Sequence, residues 1–133
     1  MRVVVDTNVL VSGIINPHGS PGRVVDAIVS RTLTVLHDDR ILSEYREVLL
    51  RPLFAFQPSD VNALLDFIVF SGEHIAAGPV DIVLPDSTDL PFLEVAIAGA
   101  ADGLGTGNLK HFKPARGRHH VSILSPTEIL RLI

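Results

Sequence analysis

A chain of 133 residues, 47% apolar and 20% charged, has the size and composition of one folded domain, with no room for two independent cores and no resemblance to a disordered chain. The absence of cysteine excludes thiol catalysis, zinc–thiolate sites and disulfides, and fits a reducing compartment such as the cytoplasm. A net charge of −4 argues against a broad basic surface for nucleic acid, so any grip on phosphates has to come from a local patch.

The chain opens on Met1-Arg2-Val3-Val4-Val5-Asp6. A carboxylate after three valines is not a secretory signal, and no stretch has the length of a membrane span, so the cytoplasm is the expected location. Val3 to Val5 is β-branched and uninterrupted, the pattern of a parallel strand buried on both faces, and it stops at Asp6-Thr7-Asn8. Val9, Leu10 and Ile14 then recur at helical spacing. Asn16 to Gly22 breaks the chain into a loop, and Arg23 to Ser30 reads as a second short helix. Leu33 to Leu36 is the next strand, followed by a helix from about Arg40 to Leu50 that Pro52 ends.

Pro58-Ser59-Asp60 opens another helix through Phe70, with Ser59 or Asp60 as its cap and Ser71-Gly72 as its stop. His74 to Ala76 is a third strand, and a loop runs on to Asp89. Pro91 to Ala100 is apolar almost all round, so that helix belongs deep in the domain. Leu104 to Thr106 and Val121 to Leu124 are the last strands. Ser125-Pro126-Thr127-Glu128 then carries the cap, first-turn proline and glutamate of a closing helix. Strands alternating with helices predict an α/β fold, a mainly parallel sheet with helices on both faces.

In such a sheet, ligands bind beyond the carboxyl ends of the strands, and Asp6 stands at that end of the first one. For this residue alone, ending the strand and capping the next helix is the favoured explanation. On a wheel of about 100° per residue, Ile41, Leu42, Tyr45, Val48 and Leu49 form an apolar face with Glu44 at its edge. Glu44 then leans over a cleft, or pairs on the surface with Arg40 one turn earlier. Asp89 precedes the apolar helix, where a carboxylate caps free N–H groups and meets the positive end of the helix dipole. The same position aims it toward Asp6, and Asp86 is near enough to substitute for it. Asp102 and the run Gly105-Thr106-Gly107-Asn108 complete the set at the next strand. The glycines there permit close backbone approach to a phosphate or metal but lack the spacing of a dinucleotide loop.

Carboxylates brought together raise one another's pKa unless a divalent cation neutralises them, and oxygen ligands suit magnesium or manganese. Two such ions about 3.5 to 4 Å apart can activate water and stabilise the leaving oxygen of a phosphodiester, by in-line attack without a covalent intermediate. Lys110, Lys113, Arg116 and Arg118 are four of the eleven basic residues, gathered in nine positions without an acid. They form a phosphate-binding patch or an ordinary solvated loop. The six histidines are scattered without a paired spacing, so no zinc site is expected.

Four segments taken together resemble the PIN-domain family: Val3-Val4-Val5-Asp6-Thr7-Asn8-Val9-Leu10, Leu42-Ser43-Glu44-Tyr45-Arg46-Glu47-Val48-Leu49, Asp89-Leu90-Pro91-Phe92-Leu93-Glu94, and Ala101-Asp102-Gly103-Leu104-Gly105-Thr106-Gly107-Asn108. Their order and spacing fit over the whole length, 1–133, as one PIN-like domain, in the branch of VapC-type toxins of toxin–antitoxin pairs. The resemblance implies a three-layer α/β/α sandwich, cleavage of single-stranded RNA with Mg2+ or Mn2+, a cognate antitoxin protein, and assembly into a homodimer or higher homo-oligomer. Carried onto this chain, the family's metal-holding acids match Asp6, Glu44 and Asp89. Thr7, Asn8, Ser43 and Thr106 match polar positions that orient those acids.

The last acidic position departs from the pattern. Asn108 stands where many members carry Asp, and His111 where others place the acid three residues later. An amide oxygen or an imidazole can ligate a metal without the carboxylate's charge, and Asp102 is a candidate to compensate. Two other functions stay open. One is a catalytically degenerate PIN domain that only binds RNA or protein. The other is a phosphohydrolase of the haloacid dehalogenase class with Asp6 as nucleophile; it needs an acid two residues on, where Asn8 stands, and a lysine, for which only Lys110 and Lys113 exist. The apolar helices from Val61 to Phe70 and Ile129 to Ile133 can serve as a subunit face or as core.

Overall fold

The computed structural model describes all of residues 1–133. Strand β1 (Arg2–Val5) lies at the centre of the sheet, because Val3, Val4 and Val5 have no side that tolerates water. It pairs with β2 (Thr34–His37) on one side and β4 (Gly103–Gly105) on the other. Strands β3 (Glu73–His74) and β5 (Ile123–Leu124) extend the edges, giving the order β3-β2-β1-β4-β5 with every pair parallel.

The helices are α1 (Thr7–Ile15), α2 (Ser20–Val29), α3 (Asp39–Leu49), α4 (Pro58–Ser71), α5 (Leu90–Ala98) and α6 (Pro126–Leu132). Strand register assigns them to layers. Val3 pairs with Val35 and Gly103, and Val4 with Leu104, so alternation puts Val4, Leu36 and Leu104 on one face and Gly105 on the other. Leu36 packs on Gly99 at the end of α5, while Ile129 of α6 approaches Gly105 from the opposite side. A Cβ at Gly105 would lie 2.4 Å from Ile129 Cδ1, so glycine is what lets α6 close on β4. Helix α2 packs on α6 and α1 on α2, which completes that layer. This is the α/β/α sandwich the family resemblance implies. A single cluster of 30 buried apolar residues fills it.

Helix α3 packs on both α4 and α5. Asp38 caps it, Oδ1 accepting the Ile41 N–H at 3.0 Å, and Arg40 binds Asp38 at 2.9 Å and Glu94 of α5 at 2.6 Å. The first turn of α3 is thereby clamped to α5. Arg40 is engaged there, so the surface pairing of Glu44 with Arg40 does not form. The closing helix has the expected capping box, Ser125 Oγ accepting from Glu128 N at 3.1 Å and Glu128 Oε1 from Ser125 N at 3.0 Å.

Several boundaries differ from the sequence expectation. Helix α2 begins at Ser20, inside the expected loop, because Pro21 occupies its first turn rather than breaking the chain. Neither Ser59 nor Asp60 caps α4, since Pro58 starts that helix after Gln57. The segment Leu109–Ala115, expected as loop, is a 3-10 helix that buries Phe112 and Ala115. No helix is long and apolar enough to cross a membrane.

Candidate metal centre at the carboxyl ends of the strands

Asp6 follows β1 directly, and its backbone N–H still donates to Gly105 O at 2.8 Å, so the side chain projects just past the sheet. It occupies the N-cap position of α1 but makes no side-chain cap bond. Its Oδ2 instead accepts from Thr106 Oγ1 at 2.8 Å, a buried bond between the ends of adjacent strands. Thr106 Oγ1 also accepts the Asn108 N–H at 3.0 Å, and Asn8 Oδ1 accepts the Gly107 N–H at 3.0 Å. The turn after β4 is thus fastened to the start of α1.

Glu44 comes from the middle of α3. Tyr45 beside it is fully buried and donates its hydroxyl to the Val5 carbonyl, which holds α3 against the end of β1. Thr7 Oγ1 donates to Glu44 Oε2, so the carboxylate lies toward Asp6 and not toward solvent. Asp89 precedes α5 without capping it; its Oδ2 stands 3.1 Å from His111 Nδ1. Asp86 caps the 3-10 turn Ser87–Asp89 that leads into α5, its Oδ1 accepting from Thr88 N at 2.9 Å and Thr88 Oγ1 at 2.7 Å. Asp6, Glu44, Asp86, Asp89 and His111 line one open cleft of about 340 Å³, together with Thr7, Asn8, Val11, Ser12, Val48 and Phe54.

Burial and crowding set the charges. Burial pushes Asp6 up to about 6 against the opposing Thr106 hydrogen bond, with the charges of Asp89 and Glu44 adding to the rise. Glu44 is raised by burial and by Asp89, with the Thr7 hydrogen bond opposing. Asp89 is raised by burial and Asp86, and lowered in part by His111. Asp86 is held below its ordinary value by its Thr88 bonds. No Lys or Arg lines the cleft, so nothing in it but His111 can supply a positive charge. A divalent cation in the cleft would relieve the mutual repulsion of these carboxylates, and the ligand atoms that lie within 4.8 Å of one another are those of Asp86, Asp89 and His111.

Other expected residues lie elsewhere. Asp102 precedes β4, and its Oδ2 accepts the Arg2 N–H at 2.8 Å at the amino ends of the strands, the opposite end of β1 from Asp6. The expectation that it joins the acids is corrected by this position against Arg2. Ser43 is exposed and outside the cleft, because it lies one helical step from Glu44 on the solvent side of α3. Asn108 is half-buried with its side chain off the cleft lining, and His111, one turn further on, takes the place beside Asp89. Lys110, Lys113 and Arg116 flank a separate shallow recess on the same 3-10 helix as His111, and Arg118 reaches toward Asp81 O. Neither lysine reaches the cleft that holds Asp6.

Ser12 and Phe54 line the cleft unanticipated. Ser12 follows Asn8 by one turn of α1, a spacing visible in the sequence. Phe54 closes the 3-10 turn Pro52–Phe54 and stacks on Phe56 at 5.4 Å between ring centroids, after which Ala55 turns the chain with a φ of 53°.

Residues 2–110 match the family model of the PIN domain, a span that holds Asp6, Glu44 and Asp89 and ends one residue short of His111. An uncharacterized protein of Methanocaldococcus jannaschii is 31% identical over 104 residues, which make up 76% of this chain and 67% of that protein. VapBC2 from Rickettsia felis, in a crystal structure bound to a DNA fragment from their promoter, is similar in fold, with a TM-score of 0.61 at 18% identity over 94% of this chain and 98% of that chain.

Proposed function

The chain belongs to the PIN-domain family, and on that premise we propose that it is a metal-dependent endoribonuclease that hydrolyses single-stranded RNA in the cytoplasm, as the toxin of a toxin–antitoxin pair. The observation that carries this reading is the convergence of Asp6, Glu44 and Asp89 in one cleft free of Lys and Arg. Asp6, Glu44 and Asp89 hold the cation, Mg2+ or Mn2+, while Thr106 and Thr7 fix the orientation of Asp6 and Glu44 through the hydrogen bonds they donate. Asn8 keeps the Gly107 turn against α1, so that the backbone beside Asp6 does not drift. When bound, the cation supplies Lewis acidity toward a phosphodiester and makes water a better nucleophile.

The rest of the substrate is held by this chain's own side chains. Phe54 offers a half-buried ring at the cleft for a nucleobase to stack on. Lys110, Lys113 and Arg116, with Arg118 beyond them, give the phosphate backbone a local positive track in a chain of net charge −4. The toxin role and an antitoxin partner draw support from the family resemblance and the likeness of fold to VapBC2. Exposed Val69 and Phe70 on α4, with Leu132 and Ile133 at the end of the chain, provide apolar surface for a partner or a second copy. The test is to incubate labelled single-stranded RNA and DNA of one sequence with the protein in Mn2+, Mg2+ or EDTA. The reading expects cleavage of the RNA with a metal and none in EDTA; cleavage of the DNA alone would refute the substrate class.

A further inference from the structure

His111 brings a nitrogen ligand to a cleft otherwise lined with carboxylates. Its Nδ1 stands 3.1 Å from Asp89 Oδ2, and ligand atoms from Asp86, Asp89 and His111 all lie within 4.8 Å of one another. Two atoms that bind one small dication at right angles, each about 2.1 Å from it, are about 3 Å apart. Asp89 and His111 therefore already have the separation of neighbouring ligands on a single ion. Asp86 is exposed, and its Thr88 bonds use only Oδ1, which leaves Oδ2 to turn toward the pair. The imidazole is held in place because the 3-10 helix that carries it is anchored by buried Phe112 and Ala115.

Resting on the nuclease reading and specifying its metal, we propose that Asp86, Asp89 and His111 form a mixed nitrogen–oxygen ligand set that makes this cleft select a first-row transition dication over magnesium. Magnesium keeps oxygen ligands and water and gains little from imidazole, whereas transition ions bind imidazole with rising affinity along the Irving–Williams order.

Manganese is the probe. Full-length wild type, His111→Gln and Asp102→Asn would be titrated with Mn2+ by electron paramagnetic resonance, alone and against excess Mg2+, and the bound ion examined by pulsed resonance for nitrogen hyperfine coupling. Wild type and Asp102→Asn are expected to show the coupling and to resist magnesium. His111→Gln, which keeps a hydrogen-bonding side chain beside Asp89, is expected to lose the coupling and to bind manganese about tenfold or more weakly. Manganese bound without nitrogen coupling, or with unchanged affinity in a folded His111→Gln protein, overturns the proposal. Binding that requires Asp6 but shows no nitrogen leaves the nuclease reading standing alone. Nitrogen coupling in a protein that cuts no RNA under any condition leaves the ligand set standing and removes the nuclease.

Discussion

The Tyr45 hydroxyl donates to the carbonyl of Val5, and through that bond the helix bearing Glu44 is tied to the strand that ends at Asp6. Tyr45→Phe keeps the ring packed on Phe92 but leaves a buried carbonyl without its partner. The expected loss of stability is about 1 to 2 kcal/mol in urea unfolding. RNA cleavage should fall as well, because Glu44 is no longer fixed against Asp6; an unchanged rate would separate Tyr45 from the positioning of Glu44.

Asp6 makes the metal-free protein sensitive to pH. Its ordinary value is 3.8 and burial raises it to about 6 in the fold, so the neutral form is favoured by folding. Stability from this group is fully present below pH 3.8 and lost as pH rises through 6, a cost of about 3 kcal/mol at neutral pH. In EDTA, Asp6→Asn should therefore be more stable than wild type at pH 7.5, with the gain fading toward pH 4. Urea unfolding at the two pH values checks this, and a variant less stable than wild type at pH 7.5 would contradict it.

Arg40 joins Asp38 to Glu94, and Glu94 is nearly buried. Arg40→Ala leaves Glu94 without its cation and Asp38 with only the Ile41 N–H. The expected destabilisation is about 2 kcal/mol, less than for a fully buried pair because Arg40 is half exposed. Adding Glu94→Gln should recover part of it, and additivity of the two substitutions would argue against the clamp.

Phe54→Ala should raise the KM for RNA with little change in kcat, since a stacked base is worth about 1 to 3 kcal/mol and the ring touches none of the carboxylates by hydrogen bond. A fall in kcat at constant KM would instead place Phe54 in the chemistry.

Lys113→Ala should weaken RNA binding evenly across sequences and reduce the slope of log affinity against log salt by about 1, as the loss of one phosphate contact does. An unaltered slope would return the basic segment to an ordinary solvated surface.

Much of this was legible in the residues. The uninterrupted Val3 to Val5 run marked the central parallel strand, whereas the wheel that set Glu44 at the edge of the apolar face left it between the cleft and a surface pair with Arg40, and the Thr7 bond is what turns it to the cleft. Boundaries were less legible, because a few side chains decide them. Asp102 was grouped with the acids although the expected strand, Leu104 to Thr106, already set it at the amino end; the parallel pairing of β4 with β1 puts Asp102 beside Arg2 and Thr106 beside Asp6. His111 was marked only by standing where some family members place the last acid, and the sequence did not show that it would lie beside Asp89. Only the 3-10 helix, fixed by buried Phe112, brings it to Asp89, and only the turn at Ala55 brings Phe54 to the rim.

The most direct measurement is the rate of cleavage of single-stranded RNA by wild type, Asp6→Asn and Asp102→Asn in Mn2+ and in EDTA, with folding checked by circular dichroism. The account predicts that wild type and Asp102→Asn cut in Mn2+, that EDTA stops both, and that Asp6→Asn does not cut. Cleavage by Asp6→Asn at the wild-type rate would contradict the site. No cleavage by any folded protein in Mn2+ would contradict the activity and leave a domain that binds RNA or protein without cutting it.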